Sequence, residues 1–186
     1  MNKLHKQVFL AAVATAALVA FATAPVAQEA KKEASAKKEA SAKKDVVDKR
    51  ANQIAQSDLA EVQAGKLGVS KASSPEVKKF AQSMVDDHGK HLSEARAMAK
   101  TKGLQLPSAP AKKHQQAMKK LESASGAEFD KVFMQQMVKD HEEALKLVQN
   151  TAKSAKDPQL KADAEKTAPV IEKHLEEAKR IAASLK

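Results

Sequence analysis

The chain of 186 residues has no cysteine, tryptophan or tyrosine, and phenylalanine is its only aromatic residue, with five copies. The absence of cysteine excludes disulfide bonds, thiolate metal sites and thiol nucleophiles. Strands favour β-branched and aromatic residues, so the scarcity of aromatics argues against a sheet protein. It also argues against binding of single-stranded nucleic acid, which uses aromatic rings to stack bases. We therefore expect no nucleic-acid partner.

The residues that are abundant favour helices. Alanine, lysine, glutamate and glutamine dominate, and all four are strong helix formers. Hydrophobic residues make up 42% of the chain and charged residues 30%. The formal net charge is +10, with a pI near 9.6, and the positive residues are spread along the chain rather than gathered in one patch. This distribution indicates a well-solvated surface more than a nucleic-acid interface.

Residues 1–27 have the features of a secretory signal peptide. Lys3 and Lys6 form a positive start, residues 8–24 form an apolar run, and small residues follow up to a predicted cleavage between Ala27 and Gln28. An earlier cleavage would place Pro25 directly after the cut, which is unfavourable. The alternative is an N-terminal membrane anchor, for which the run is near the lower length limit. We expect a protein exported to the periplasm or associated with the outer membrane.

Residues 28–45 form a low-complexity segment that repeats Lys-Lys-Glu-Ala-Ser-Ala. The repeat has helix propensity but no apolar stripe, so nothing makes it dock on a core. We interpret it as a solvated linker. The alternative is a tether in which the lysines make electrostatic contact with anionic polymers of the cell envelope.

From residue 46 to 186 the apolar residues recur with helical spacing, which predicts one bundle domain. Ser74-Pro75 and Asp157-Pro158 each combine an N-cap with a proline at the first helical position. Pro169 falls inside the last helix and should kink it. The predicted long helices cover 46–73, 75–102, 127–155 and 158–185, and a short helix covers 111–122.

The connections predict the topology. The first two long helices are joined tightly, as are the last two, so each pair should be antiparallel. The segment between the second and third long helices is long enough to cross back along the bundle. Residues 82–88 and 135–141 share the pattern Gln-x-Met-Val-x-Asp-His, which suggests two related hairpins. The predicted fold class is all-α, a ferritin-like four-helix bundle with a long crossover between helices two and three.

Polar residues interrupt the apolar stripes at one level of this bundle. Glu61 and His88 lie almost equally far along the chain before and after Ser74, where the first hairpin turns. His141 and His174 lie almost equally far before and after Asp157, where the second hairpin turns. With a constant rise of about 1.5 Å per residue, all four fall near the middle of their helices and in one layer.

A carboxylate and three imidazoles in one layer predict a transition-metal site for Zn, Cu, Fe or Mn. His91 is an auxiliary ligand candidate, and Met84 and Met137 suggest a softer copper site as a less favoured variant. His114 is expected at the surface. The alternative is a structural layer of hydrogen-bonded polar groups without metal. The second-shell candidates that could orient the imidazoles are Asp87, Asp140 and Glu177.

The chain resembles the bacterial exported family called domain of unknown function 4142 from about residue 57 to its end. The resemblance is carried by Ala60-Glu61, Ser74-Pro75-Glu76-Val77-Lys78-Lys79-Phe80-Ala81, Met84-Val85-x-Asp87-His88, Phe129-Asp130, Met137-Val138-x-Asp140-His141, Pro169 and His174-Leu175. The family is often labelled as exported or outer-membrane protein and is assigned to the ferritin-like fold. The resemblance implies that fold and location, and it implies no activity.

Di-iron carboxylate bundles carry Glu-x-x-His on two helices. The residues three before His88, His141 and His174 are Val85, Val138 and Ile171, which argues against an oxygen-activating di-iron centre and against iron storage. The sequence also lacks a serine or cysteine nucleophile motif and a phosphate-binding loop. A periplasmic metal- or ligand-binding bundle is therefore favoured over a structural or stress-protective envelope module, and an enzyme is less favoured than either.

Overall fold

The computed structural model describes residues 24–185, and within this range it describes no side chain at 24–28, 30 and 39–48. Residues 1–23, most of the predicted signal peptide, lie outside the described part. The chain divides into two compact units, Met1–Glu39 and Ala40–Lys186. No described helix is both long enough and apolar enough to cross a membrane. The helices are α1 (Ala24–Lys71), α2 (Pro75–Thr101), α3 (Lys112–Ser123), α4 (Gly126–Ser154) and α5 (Pro158–Ser184).

The predicted helix starts at the two capped prolines are confirmed. The side chain of Ser74 accepts a hydrogen bond from the backbone N–H of Val77, and that of Asp157 accepts one from Leu160 at 2.9 Å. Pro75 and Pro158 occupy first-turn positions that need no intrahelical donor. The chain leaves α2 through Gly103, whose φ of +64° suits a residue without a side chain.

Helix α1 begins earlier than predicted. It starts at Ala24 and includes the Lys/Ala/Glu repeat, whereas the sequence pattern placed the first long helix at 46–73. The physical reason is propensity, because after Pro25 the chain has no glycine or proline before Gly65. Hydrophobic periodicity detects only the part of a helix that packs on a core, so it missed the solvated turns.

The crossover topology is confirmed by contacts at the two ends of the bundle. At one end, Asp130 near the start of α4 accepts hydrogen bonds from the α1–α2 turn, and Arg180 near the end of α5 pairs with Glu76 at 2.6 Å. At the other end, Lys102 after α2 forms an ion pair with Asp157 between α4 and α5. Helices α2 and α4 therefore run parallel, and the segment that contains α3 carries the chain back between them.

The two largest apolar clusters among the described residues lie in the interior of the bundle. One contains Phe80, Met84, Phe133 and Met137, and the other contains Ile54, Ala144, Leu160 and Ile171. Met84 and Met137 lie one turn before His88 and His141, while Ile171 lies almost one turn before His174. The polar layer therefore separates the two clusters. Helix α5 continues through Pro169, and residues on both sides of it stay helical.

Candidate metal centre

Three histidines from three helices face one another in the layer between the apolar clusters. His88 comes from α2, His141 from α4 and His174 from α5, and all three are buried. Their ring centroids are 5.4 Å, 5.5 Å and 5.6 Å apart, so the rings form a nearly equilateral triangle. One nitrogen from each ring lies within 4.8 Å of the other two. We call these three residues the histidine trio.

Each ring of the trio is held by an acceptor at one of its nitrogens. Nδ1 of His88 lies 3.0 Å from Asp58 Oδ1. Nδ1 of His141 lies 2.8 Å from the carbonyl oxygen of Met137, one turn earlier in α4. Nε2 of His174 lies 2.9 Å from Asp87 Oδ2. Each acceptor fixes the orientation of its ring, as partners of metal-binding histidines commonly do.

The second nitrogen of each ring has no partner. Among the described residues, nothing forms a hydrogen bond with Nε2 of His88, Nε2 of His141 or Nδ1 of His174, although all three atoms are buried. A buried polar atom without a partner is costly, and native proteins have few of them. Three such nitrogens on three neighbouring rings match the donor set of a transition-metal ion, which binds imidazole nitrogens at about 2.0–2.1 Å in the case of zinc.

Glu61 lies beside the trio, on the side of the held nitrogen of His88. Its Oε2 is 2.8 Å from Nδ1 of His88, and its Oε1 is 4.0 Å from Nδ1 of His141. The side chain is fully buried, and neither oxygen is in a hydrogen bond with suitable angles. Burial raises the pKa of Glu61, but the attraction of His88, the largest of the opposing causes, outweighs it and lowers the pKa to about 2. Glu61 is therefore an ionised carboxylate inside the core.

The three histidines differ in basicity. Burial opposes the charge on His88, but Glu61 and Asp58 outweigh it and raise its pKa to about 10. Burial and the repulsion of the other two rings lower the pKa of His174 to about 4, and burial likewise lowers the pKa of His141. Without a metal ion, the trio therefore carries a single proton charge, on His88.

The other predicted residues lie in different places. His91 lies outside the trio, with Nδ1 2.8 Å from Asp58 and Nε2 3.2 Å from Asp163. Asp87 holds His174, as described above. Asp140 instead accepts a hydrogen bond from Gln136 at 2.9 Å.

Glu177, the remaining second-shell candidate, lies 3.9 Å from Arg180 on the partly exposed side of α5. Of the second-shell candidates, the structure thus brings only Asp87 into contact with the trio.

Sequence reasoning placed His114 wrongly and missed two carboxylates. His114 was expected at the surface, but packing of α3 against α4 buries it 3.9 Å from Asp140. Asp58 and Asp163 were missed, although each has a detectable signal. Asp58 precedes Glu61 by three positions, so it shares the same helix face. Asp163 precedes His174 by about three helical turns, which again keeps both on one face.

The chain belongs to the family described as domain of unknown function DUF4142, which matches residues 30–181. No curated protein sequence matches it. Its fold is similar to that of a predicted secreted DUF305 protein from Streptomyces coelicolor, with a TM-score of 0.64 and 14% identity over 73% of this chain and 91% of that chain. It is also similar to CopM in its Cu(II)-bound form, with a TM-score of 0.64 and 16% identity over 73% and 95%. At these identities the similarity shows the fold alone.

Proposed function

We propose that this protein is an exported helical bundle that binds one transition-metal ion through Nε2 of His88, Nε2 of His141 and Nδ1 of His174. The observation that carries the proposal is that three facing rings, each with one buried and unpartnered nitrogen, bring one nitrogen from each ring within 4.8 Å of the others. Each lies on a ring whose other nitrogen is already held. A purely structural polar layer would be expected to pair these nitrogens with acceptors or with each other.

Glu61 was predicted from the sequence as a fourth ligand, and its position suggests a different role. Its carboxylate approaches Nδ1 of His88, whereas the unpartnered nitrogen of that ring is Nε2. We therefore propose that Glu61 compensates positive charge next to the histidine trio and does not bind the metal ion itself. Three protein ligands leave a further coordination position for water or a small ligand.

The donor set favours the metals that prefer nitrogen. Imidazole suits zinc, copper and iron, while manganese prefers oxygen donors. Copper is the first ion to test, because it forms the most stable complexes of the first-row series and because CopM, which shares the fold, was solved with Cu(II).

Export is part of the proposal and has its own test. It rests on the positive start, the apolar run and the small residues before Gln28. The DUF305 protein of similar fold is described as a predicted secreted protein, which agrees with it. N-terminal sequencing of protein from the periplasmic fraction should read from Gln28, and an intact Met1 in a membrane fraction would instead show an anchor.

Calorimetric titration of the metal-stripped protein tests the binding proposal, with His91 as the matched control. The wild type should bind one Cu²⁺ or Zn²⁺ per chain, and His141→Ala should lose this binding. His91→Ala removes a neighbouring, partly buried histidine whose two nitrogens are already occupied, so it should still bind one ion. If wild type and His141→Ala take up metal alike, the trio is a structural layer and the proposal is wrong.

We also propose a contact between the Lys-rich repeat and anionic envelope polymers. All residues of 31–38 are helical and exposed, including Lys31, Lys32, Lys37 and Lys38. Exposed charges attract a polyanion at low salt and are screened at high salt. Deletion of 29–44 should abolish sedimentation with isolated envelopes at low ionic strength, whereas unchanged sedimentation would reject this contact.

A further inference from the structure

We propose that the buried charge behind the histidine trio selects a divalent ion over a monovalent one, and that Glu61 and Asp58 set this preference. The inference rests on the proposed metal site and adds the charge of the ion that it takes. Asp58 and Glu61 are buried on α1, and each touches Nδ1 of His88, at 3.0 Å and 2.8 Å. The two carboxylates thus converge on one ring.

The charges around His88 can be counted from its contacts. Asp58, Glu61 and Asp163 are carboxylates whose side chains are at most 9% exposed. His91 is the one cation between them, because it bridges Asp58 and Asp163 with both ring nitrogens. Three negative charges against one positive charge leave a net charge of minus two beside the trio.

Other charged groups do not reverse the sign of this count. Asp87 is about half exposed where it meets His174, so water screens it. Asp140 is a further buried carboxylate next to His141 in the chain, where Gln136 donates a hydrogen bond to it, and it can only add to the negative charge near the trio. The neighbouring pair of Lys166 and Glu94 is exposed and neutral as a unit.

The negative count favours a divalent ion. When His88 binds a metal through Nε2 it is a neutral imidazole, so it does not compensate the carboxylates. A 2+ ion compensates more of the buried negative charge than a 1+ ion does, and uncompensated buried charge is strongly unfavourable. The methionines of the adjacent apolar cluster would favour a soft monovalent ion, but the carboxylates oppose it.

The expected size of the effect follows from Coulomb's law. For charges about 6 Å apart at an effective dielectric constant near 20, one unit of charge changes an affinity by roughly a hundredfold. Replacing Glu61 by the isosteric glutamine removes one negative charge, which weakens binding of a 2+ ion twice as strongly, in free energy, as binding of a 1+ ion. The ratio of the Cu²⁺ to the Ag⁺ affinity should therefore fall by roughly a hundredfold.

The experiment measures Cu²⁺ and Ag⁺ affinities by chelator competition for wild type, Glu61→Gln and Glu177→Gln. Both ions bind at the same three histidines, so competition with protons affects both affinities alike and cancels in the ratio. Glu177, which pairs with Arg180 at the edge of α5, is the matched control, and its variant should keep the wild-type ratio. A ratio in Glu61→Gln within about threefold of wild type would overturn the inference while leaving the metal site intact.

A second variant guards against a folding defect. Asp163→Asn removes a carboxylate that reaches His88 only through His91 and Asp58, so the ratio should fall in the same direction but less. If Glu61→Gln does not fold and Asp163→Asn leaves the ratio unchanged, the inference is wrong. If the wild type binds no Cu²⁺, the proposed function itself fails, and this outcome is distinct from a changed or unchanged ratio.

Discussion

Asp130 connects the two halves of the bundle, and its removal should cost much of the stability of the domain. The side chain is buried at the start of α4. Its Oδ1 accepts the backbone N–H of Ser73 at 3.0 Å, and its Oδ2 accepts that of Ser74 at 2.8 Å. These two donors form the α1–α2 turn and the cap of α2. The pair of hydrogen bonds therefore fixes the second hairpin to the first.

The magnitude follows from the two charge-assisted hydrogen bonds. A hydrogen bond to a charged group contributes about 1.5–3 kcal/mol, and a donor left without a partner adds a desolvation penalty. We therefore expect Asp130→Ala to lower the free energy of unfolding by about 3–5 kcal/mol. Urea denaturation of the metal-free protein, with wild type and variant analysed at a common slope, measures this change.

The control for this prediction is an aspartate on the surface of α2. Asp86 is exposed and accepts a single hydrogen bond from Gln82 at 2.9 Å. Asp86→Ala should change the free energy of unfolding by no more than about 0.5 kcal/mol. A loss below about 1 kcal/mol in Asp130→Ala would refute the claim that this carboxylate joins the hairpins.

Two further predictions concern helix packing and pH. A β-carbon at Gly65 would lie 2.8 Å from the carbonyl oxygen of Ala81, so Gly65→Ala should destabilise by about 1–3 kcal/mol in urea denaturation. A β-carbon at Gly89 would meet no atom of another described helix within 4 Å, so Gly89→Ala should be neutral or stabilising. Equal losses of stability in the two variants would contradict the close approach of α1 and α2. Burial opposes the charge on His91, but Asp163 and Asp58 raise its pKa from 6.5 to about 10. The charged His91 therefore contributes fully to the free energy of unfolding below pH 6.5, and this contribution is lost as the pH rises through 10. His91→Gln should flatten the decline of the free energy of unfolding over this pH range. Parallel plots of this free energy against pH for wild type and variant would exclude this ion pair.

The fold could be predicted from the sequence because its signals are local. Ser74-Pro75 and Asp157-Pro158 mark the helix starts through cap geometry, and the long segment between α2 and α4 defines the crossover. The length of α1 could not be predicted from periodicity, because the repeat in 28–45 has no buried face. Its helical state follows from residue propensities alone.

The candidate site could be predicted in part. The numbers of residues that separate His88, His141 and His174 from the hairpin turns predict that all three lie at one level of the bundle, because the rise per residue of a helix is constant. Ring orientation is a tertiary property, so which nitrogen of His88 faces Glu61 could not be read from spacing. The burial of His114 depends on how α3 packs on α4, and the contact between His91 and Asp163 depends on the approach of α2 and α5. Neither follows from a single helix.

The most direct test of the metal site is elemental mass spectrometry of untagged protein purified from its native cells. The proposal predicts near one transition-metal ion per chain in the wild type and in His91→Ala, and none in the double variant His88→Ala/His141→Ala. A wild type without metal, or a double variant that retains the metal of the wild type, would contradict it.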